Sequence, residues 1–356
     1  MKKKGHFVVD DIAGISLLAI TSFKSSKEPI VLLTSNLYKA QLLYDFILTF
    51  VSGNDVLLFP GDELIRAETV AESKELLSAR VFTLNQLKYN QHKIIITNIA
   101  GICRYLPQKS VFFDNNIEIK VGDTLDVDEL KRKLVNSGYS RVSKVNQSLQ
   151  FAVRGDIIDI YSINLDNPIR IELFGDEVDS IRLFDIASQV SSKKIDEVEI
   201  IPARDFILTD EEIKQASEKI YAQLEKDQKV LDYTTFERLR NSIDNDLIDI
   251  LEGTSTSRSY KYFSFLTNSY SFLLNYLDNP TLVYVDDDAI EQSDKLLQDE
   301  SFHLLEEMFE EGKIISHLEM YRELNEVVFN SKCQTIKTSV FLKHNSDITF
   351  ACRSVP

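Results

Sequence analysis

Ile30-Val-Leu-Leu33 is the first of three apolar runs in the N-terminal third of the chain, and Asp55-Val-Leu-Leu-Phe59 and Lys93-Ile-Ile-Ile-Thr97 follow it. Residues with helical periodicity separate the runs, from about 37 to 51 and from about 69 to 79. A run that is apolar at every position is typical of a strand buried on both faces, as in parallel sheets covered by helices. The sequence therefore predicts an α/β layer built on a parallel sheet.

The pattern changes near residue 112 and predicts a second domain. Asp126 and Glu129 have the spacing of a helix capping box, and Gly138 is placed to end that helix. Runs of alternating polarity then follow, at Gln150–Tyr161, Ile169–Phe174, Glu177–Phe184 and Glu197–Ile201. Such alternation is expected of antiparallel strands with one buried face, so this part is predicted to be an antiparallel α+β domain.

The chain becomes helical after Pro202. Thr209 and Glu212 form another capping box, which predicts a helix to about 225, and further helices are expected at about 236–251 and 263–276. The apolar run Thr281-Leu-Val-Tyr-Val285 is then predicted to return to the first sheet as a parallel strand. The expected domains are an NTPase-like domain of residues 1–110 continued by 277–356, an antiparallel domain of residues 111–204 and a helical domain of residues 205–276.

Charge and cysteine content exclude several classes of protein. With 40 Lys and Arg against 56 Asp and Glu, the net charge of −16 argues against wrapping bare nucleic acid, which needs clustered cations. Cys103, Cys333 and Cys352 form no Cys-x-x-Cys pair, which excludes a disulfide-stapled secreted domain and a cysteine zinc site. No apolar run approaches the ~18 residues of a membrane helix, and no signal peptide is recognisable. We expect a cytoplasmic protein without a membrane partner.

A nucleotide site is suggested by the strand–helix alternation but not by its motifs. No Gly-x-x-x-x-Gly-Lys-Ser/Thr string occurs, and in the nearest match, Ala13-Gly14-Ile15-Ser16, Ile15 stands where the phosphate-binding lysine should be. Asp286 and Asp287 end an apolar strand and have the position of a magnesium ligand, although acidic residues also end strands simply where a sheet meets water. We therefore predict an inert nucleotide site.

No pattern in the sequence predicts catalysis or a metal site. The five histidines form no His-Glu-x-x-His motif, and no Gly-x-Ser-x-Gly elbow is present. We expect neither a catalytic residue nor a bound metal.

Two arginines and a phenylalanine stand out in the antiparallel region. If the runs 151–161 and 169–177 pair as two antiparallel strands about Leu165, opposed positions sum to about 330. Arg170 then faces Ile160, Phe174 faces Asp156 and Arg154 faces Asp176, while Ile157, Ile169, Ile171 and Leu173 point into the core. Arg154, Arg170 and Phe174 would point outward together, as a protein-binding hot spot or as a solvated sheet face with one stray aromatic.

Several strings resemble one known family. They are Phe59-Pro-Gly-Asp-Glu63, Ile96-Thr-Asn-Ile-Ala-Gly-Ile-Cys-Arg-Tyr-Leu-Pro107, Arg154-Gly-Asp-Ile-Ile-Asp-Ile-Tyr161 and Arg170-Ile-Glu-Leu-Phe-Gly-Asp-Glu-Val-Asp-Ser-Ile-Arg-Leu-Phe-Asp185. The chain resembles the UvrB-like N-terminal module of bacterial transcription-repair coupling factors (Mfd). The resemblance covers most of the chain and is densest from about 55 to 205.

The resemblance implies a fold and explains the missing motifs. The implied fold is α/β: a degenerate NTPase (RecA-like) parallel-sheet domain with an inserted antiparallel α+β domain and a helical domain. Family spacing places the lost phosphate loop on Gly14-Ile15-Ser16, and Val283-Tyr-Val-Asp-Asp287 resembles the second NTPase motif with Asp287 in place of the usual Glu. The damage-probing aromatic hairpin of UvrB corresponds to residues 59–80, which contain no tyrosine and only one aromatic residue.

The resemblance also implies partners. In the family this module docks UvrA through the antiparallel domain, and the matching positions are Arg154, Arg170 and Phe174. RNA polymerase and duplex DNA would be bound by other parts of the full-length protein, and ATP and Mg²⁺ would serve only its downstream motor, so no cofactor is expected in this chain. The alternative is a catalytically active, UvrB-like, ATP-dependent DNA repair protein.

Overall fold

The computed structural model describes residues 5–8, 12–62, 73–252, 260–267, 269–339 and 348–349. The strands are β1 Gly5–Val8, β2 Ile30–Thr34, β3 Val56–Phe59, β4 Ile94–Asn98, β5 Leu106–Pro107, β6 Ile117–Lys120, β7 Ser140–Arg141, β8 Gln150–Arg154, β9 Ile157–Tyr161, β10 Ile169–Phe174, β11 Glu177–Phe184, β12 Ser191–Ile195, β13 Glu197–Ile200, β14 Tyr270–Ser271, β15 Thr281–Tyr284, β16 Gln334–Ser339 and β17 Ile348–Thr349. The helices are α1 Ile12–Ser25, α2 Leu37–Leu48, α3 Lys74–Tyr89, α4 Ile99–Ile102, α5 Lys109–Asp114, α6 Val127–Asn136, α7 Asp210–Asp227, α8 Tyr233–Glu252, α9 Phe263–Leu266, α10 Asp287–Glu310 and α11 Leu324–Asn330, with a 3₁₀ turn at Leu273–Tyr276.

The largest sheet is parallel and has the strand order β17-β1-β16-β15-β2-β4-β3. Along β2, Val31 and Leu33 face one hydrophobic core while Ile30 and Leu32 face another, and all four are buried. This two-sided burial explains why the run is apolar at every position. The predicted return of the chain is found, because β15 pairs in parallel with β2. The fold is therefore mixed α/β with a parallel sheet, as predicted, whereas the RecA-like assignment and the domain boundaries stay predictions.

The second sheet has six strands in the order β12-β11-β10-β9-β8-β7 and is antiparallel except for the β7–β8 pair. One face carries a core formed with α6 and the antiparallel β6–β13 pair. The side chains that this face contributes to the core are Phe151, Ile158, Ile160, Ile169, Ile171, Leu173, Val178 and Ile181. The opposite face of the sheet is the surface described below.

Two predicted elements are wrong. The strand expected over 150–161 is two strands, β8 and β9, because the chain reverses at Gly155, whose φ of +58° is one that glycine adopts without strain. The helix expected over 263–276 is only the single turn α9, followed by β14 and the 3₁₀ turn. The helix expected at 69–79 is observed as α3, and residues 63–72 of the segment that corresponds to the UvrB hairpin lie outside the described residues.

The predicted helix starts are confirmed. The Asp126 carboxylate accepts from the backbone N–H groups of Asp128 and Glu129 at the start of α6. Thr209 and Glu212 cap α7 reciprocally, the Thr209 hydroxyl accepting from the Glu212 N–H and the Glu212 carboxylate accepting from the Thr209 N–H. Such caps satisfy backbone donors that a helix start otherwise leaves open.

A buried ion cluster ties the antiparallel region to the parallel sheet. Asp205 lies just after β13 and accepts from Arg80 Nε of α3 at 2.6 Å and from Arg104 Nε at 2.8 Å. Burial alone would raise the pKa of Asp205, but the charges of Arg104 and Arg80 outweigh it and hold that pKa well below its usual range. The Arg104 guanidinium also stacks on the Tyr260 ring at 3.7 Å.

In the parts of the chain that the structure describes, no helix has the length and apolar character needed to cross a bilayer.

Candidate protein-binding surface

The outer face of the six-stranded sheet carries charged side chains in a cross-strand row. Arg170 of β10 lies directly opposite Asp159 of β9 on one side and Arg182 of β11 on the other. Arg182 in turn lies opposite Lys194 of the edge strand β12. Side chains at directly opposed positions share a face, so this row places three cations and one carboxylate on the surface that turns away from the core.

Asp159 is fully buried and holds Arg170 in a two-pronged ion pair. Arg170 Nε donates to Asp159 Oδ1 at 2.7 Å, and Arg170 Nη2 donates to Oδ2 at 3.0 Å. These hydrogen bonds raise the pKa of Arg170 above its usual value. The guanidinium also lies 4.7 Å from the Phe184 ring centre and donates to the backbone oxygen of Gln189. Arg170 is consequently only 15% exposed in its side chain.

Arg154 reaches the same carboxylate from β8. Its Nη2 donates to Asp159 Oδ2 at 2.5 Å, yet its side chain remains 48% exposed. Arg154 therefore has one anchored nitrogen and a guanidinium edge that is open to solvent or to a partner.

Phe174 is the most exposed aromatic side chain of this sheet among the described residues, at 83%. It ends β10 immediately before the turn at Gly175 and lies opposite Glu177. The β8–β9 turn is its neighbour, because the Leu173 N–H donates to the Asp156 carbonyl oxygen at 2.9 Å. A phenylalanine this exposed at the rim of a charged sheet face leaves its whole ring available for contact.

The structure brings Arg154, Arg170 and Phe174 to one face, but by another register than the one expected. Arg170 lies opposite Asp159 and not Ile160, so opposed positions of β9 and β10 sum to 329. Arg154 lies opposite Ile157, inside the β8–β9 hairpin, and not opposite Asp176. The predicted inward orientation of Ile157 is also wrong: it is only partly buried and shares the arginine face.

Sequence reasoning missed three members of this surface: Asp159, Arg182 and Lys194. Period-two counting along Ser180-Ile-Arg182 would have placed Arg182 on the face opposite to Ile181. The pairing of Arg182 with Arg170 of β10 could not be counted from the turn at Gly175. A β-bulge shifts the β10–β11 register by one residue between the pairs Glu172–Ser180 and Leu173–Val178.

Three positions of the predicted degenerate nucleotide site lie near the N-terminal end of α1. Gly14, Ile15 and Ser16 are buried in the helix, and the Ser16 hydroxyl donates to the Ile12 carbonyl oxygen at 2.7 Å. Ile15 forms part of the wall of a cavity of about 400 Å³ between α1 and the sheet, together with Leu18, Leu32, Val283 and Ile336. The polar residues that also line this cavity are serines, threonines and Glu28, so its described lining offers no ammonium group for a phosphate.

The acidic pair at the end of β15 is engaged by lysines. Asp286 adopts a left-handed conformation with a φ of +70° and caps α10, and its carboxylate lies 4.0 Å from Lys39 Nζ. The buried Asp287 lies 3.9 Å from Lys337 Nζ. Over the described ranges, no three His, Cys, Asp or Glu side chains are grouped so that they would hold a metal. Both lysine contacts are long, and the inert nucleotide site stays a prediction.

Comparison with known proteins places the sheet in a recognised domain. Residues 117–206 match the model of the UvrB interaction domain, and this range contains the whole outer face. The chain is 34% identical to the transcription-repair-coupling factor of Bacillus subtilis over 340 residues, which cover 94% of this chain and 29% of that protein. The factor of Staphylococcus haemolyticus is 32% identical over 84% of the chain and 26% of its own length. The resemblance predicted from the sequence is confirmed, and the chain spans under a third of the length of these relatives.

Proposed function

We propose that this chain, similar over 94% of its length to a transcription-repair-coupling factor, is the recruitment module of such a factor and docks UvrA. In this role it brings nucleotide excision repair to a stalled RNA polymerase. The docking surface is the outer face of the six-stranded sheet, with Arg154, Arg170 and Phe174 as its binding residues.

The observation that carries the proposal is the exposed Phe174 on the same sheet face as Arg154, inside the region that matches the UvrB interaction domain. Aromatic and arginine side chains are the types most enriched among residues that dominate binding energy. Phe174 would fill an apolar pocket of UvrA, and the open edge of Arg154 would meet a carboxylate. Arg170 is the recessed member of the set, held in place by Asp159.

The module itself works without nucleotide in this proposal. The buried Ile15 and the Lys39–Asp286 contact support a degenerate, RecA-like site that has lost its chemistry. ATP and Mg²⁺ would serve a motor in the remaining length of such factors, and RNA polymerase and duplex DNA would bind other parts as well. The rival, an active UvrB-like ATP-dependent repair protein, needs this chain to bind Mg-ATP, and a titration described in the Discussion separates the two.

A binding assay with purified UvrA tests the proposal. We expect saturable binding of the wild-type chain, and binding at least about 30-fold weaker for Phe174→Ala, because truncating a hot-spot residue typically costs about 2 kcal/mol or more. The matched control is Phe329→Ala on α11, an equally solvated phenylalanine that is 88% exposed and lies outside the matched region. Its binding should equal that of the wild type. Absence of wild-type binding, or equal effects of the two variants, would refute the docking surface.

A further inference from the structure

We propose that Arg182, with Lys194 beside it, extends the docking surface across β11 and β12 and that the partner there is an acidic protein surface. The proposal rests on the docking function above and names the chemistry of the partner opposite this half of the sheet. Neither residue belongs to the set that the sequence singled out.

The cross-strand register places like charges directly against one another. Arg170, Arg182 and Lys194 occupy one row on three neighbouring strands. Like charges at opposed positions destabilise a sheet, so such a row is a cost to the isolated domain. Asp159 offsets the charge at the Arg170 end, with both carboxylate oxygens engaged by arginines. At the other end of the row, the positive charges of Arg182 and Lys194 are less well compensated by carboxylates of the chain.

Arg182 is the least satisfied arginine of this face. Its guanidinium lies 3.4 Å from Glu172 Oε2, a longer contact than either hydrogen bond between Arg170 and Asp159. Glu172 is shared, because its Oε2 also accepts from the Ser180 hydroxyl at 2.8 Å. Arg182 Nε is buried without a hydrogen-bond partner, although the side chain as a whole is 33% exposed. Because Arg182 has one long, shared contact and a side chain that is more exposed than that of Arg170, its exposed nitrogens gain more from an outside carboxylate than those of Arg170 do.

The surroundings favour a protein carboxylate over a nucleic-acid phosphate. Glu177 lies opposite Phe174, and Glu172 lies beside Arg182, so a polyanion crossing this face would meet carboxylates as well as cations. The exposed Phe174 on the neighbouring strand supplies apolar area that a phosphate backbone does not use. An acidic protein surface with an apolar pocket can use both features, because its charges are placed individually.

The test compares Arg182→Gln with Arg132→Gln in the UvrA binding assay. Arg132 is an exposed arginine of α6, which packs on the core side of the sheet, so both variants lose one positive charge from the same domain. We expect Arg182→Gln to bind about 10-fold more weakly near 0.1 M salt, the scale of a hydrogen bond between charged groups, and Arg132→Gln to bind like the wild type. The loss should shrink at high salt, since exposed charges are screened.

Each outcome decides a separate point. Arg182→Gln binding within twofold of the wild type, while Phe174→Ala loses binding, would overturn this inference and leave the docking function intact. Absence of wild-type binding would overturn both. Tight duplex DNA binding that Arg182→Gln abolishes would identify phosphate as the ligand and overturn the acidic-protein assignment. Should Arg182→Gln melt earlier than the wild type, the exposed Lys194→Gln takes its place, with a smaller but measurable weakening expected.

Discussion

Two charged regions of the molecule differ in how their charges are compensated. One is the acidic edge of the parallel sheet, formed by Asp286 and Asp287 at the end of β15, and the other is the outer face of the antiparallel sheet. At the edge, Asp286 has Lys39 near it, and Lys337 is shared between Asp287 and Glu291. The outer face holds four cations, Arg154, Arg170, Arg182 and Lys194, against three carboxylates, Asp159, Glu172 and Glu177. Carboxylates with lysines of the same chain beside them attract a cation less strongly, whereas an excess of positive charge attracts an acidic partner.

The two regions also differ in the exposure of their apolar residues. Ile15, at the position where we predict a lost phosphate-binding lysine, is buried against the parallel sheet, while Phe174 is exposed on the charged face. Burial of an isoleucine stabilises the fold, but an exposed phenylalanine contributes little to it and is available to a partner. We therefore propose that the outer face carries the binding function, and the following predictions test this contrast from the largest expected effect to the smallest.

The first prediction concerns the centre of the outer face. Asp159→Ala should lower the free energy of unfolding by about 3–5 kcal/mol, because it leaves the enclosed Arg170 without its counter-charge. Denaturant unfolding measures the loss. The matched control is Asp156→Ala, an exposed aspartate in the adjoining turn, for which a change of about 0.5 kcal/mol or less is expected. A loss for Asp159→Ala no larger than that of the control would contradict the role of Asp159 as the charge that holds the arginines.

The second prediction compares the two faces of β10. Ile171→Ala, at a fully buried position, should destabilise the domain by about 2–5 kcal/mol through loss of core packing. Phe174→Ala should change stability by only about 0.5 kcal/mol, because its ring is exposed. Thermal unfolding and UvrA binding, measured on both variants, should give opposite rankings. A Phe174 variant that melts like the Ile171 variant would show that the faces are assigned wrongly.

The third prediction addresses the acidic edge. Lys39→Ala should alter the free energy of unfolding by about 1 kcal/mol or less, since the Lys39 side chain is 43% exposed and its contact with Asp286 is long, at 4.0 Å. A double-mutant cycle with Asp286→Ala isolates the pair. A coupling energy clearly above that range would mean that the edge is a rigid charged site of the kind that we assign only to the outer face.

The fourth prediction is that the chain does not bind Mg-ATP. Isothermal titration of the chain with Mg-ATP should give no saturable heat, because Ile15 provides no cation for the phosphates and Asp286 is near Lys39. The same titration of an active P-loop ATPase serves as the control. A dissociation constant below about 1 mM, equivalent to about 4 kcal/mol of binding, would revive the rival UvrB-like enzyme and remove the contrast between the two surfaces.

The sequence by itself determined the layers of the fold and the identity of the prominent side chains. Continuous apolar runs require burial on both faces, and they form the parallel sheet with β15 as its returning strand. Capping patterns are local, so the starts of α6 and α7 were predictable from four consecutive residues each. Period-two alternation along β10 was sufficient to place Arg170 and Phe174 on one face, whereas the place of Arg154 on β8 depended on strand pairing.

Only the tertiary structure decided what those side chains touch. A shift of one position in a strand pair exchanges the two faces, and the registers here depend on the turn at Gly155, the β9–β10 connection over 162–168 and the bulge beside Glu172. Together these features make Asp159 the buried partner of two arginines, and they place Arg182 opposite Arg170. Contacts across strands depend on such long-range pairing, which residue spacing along a single strand does not encode.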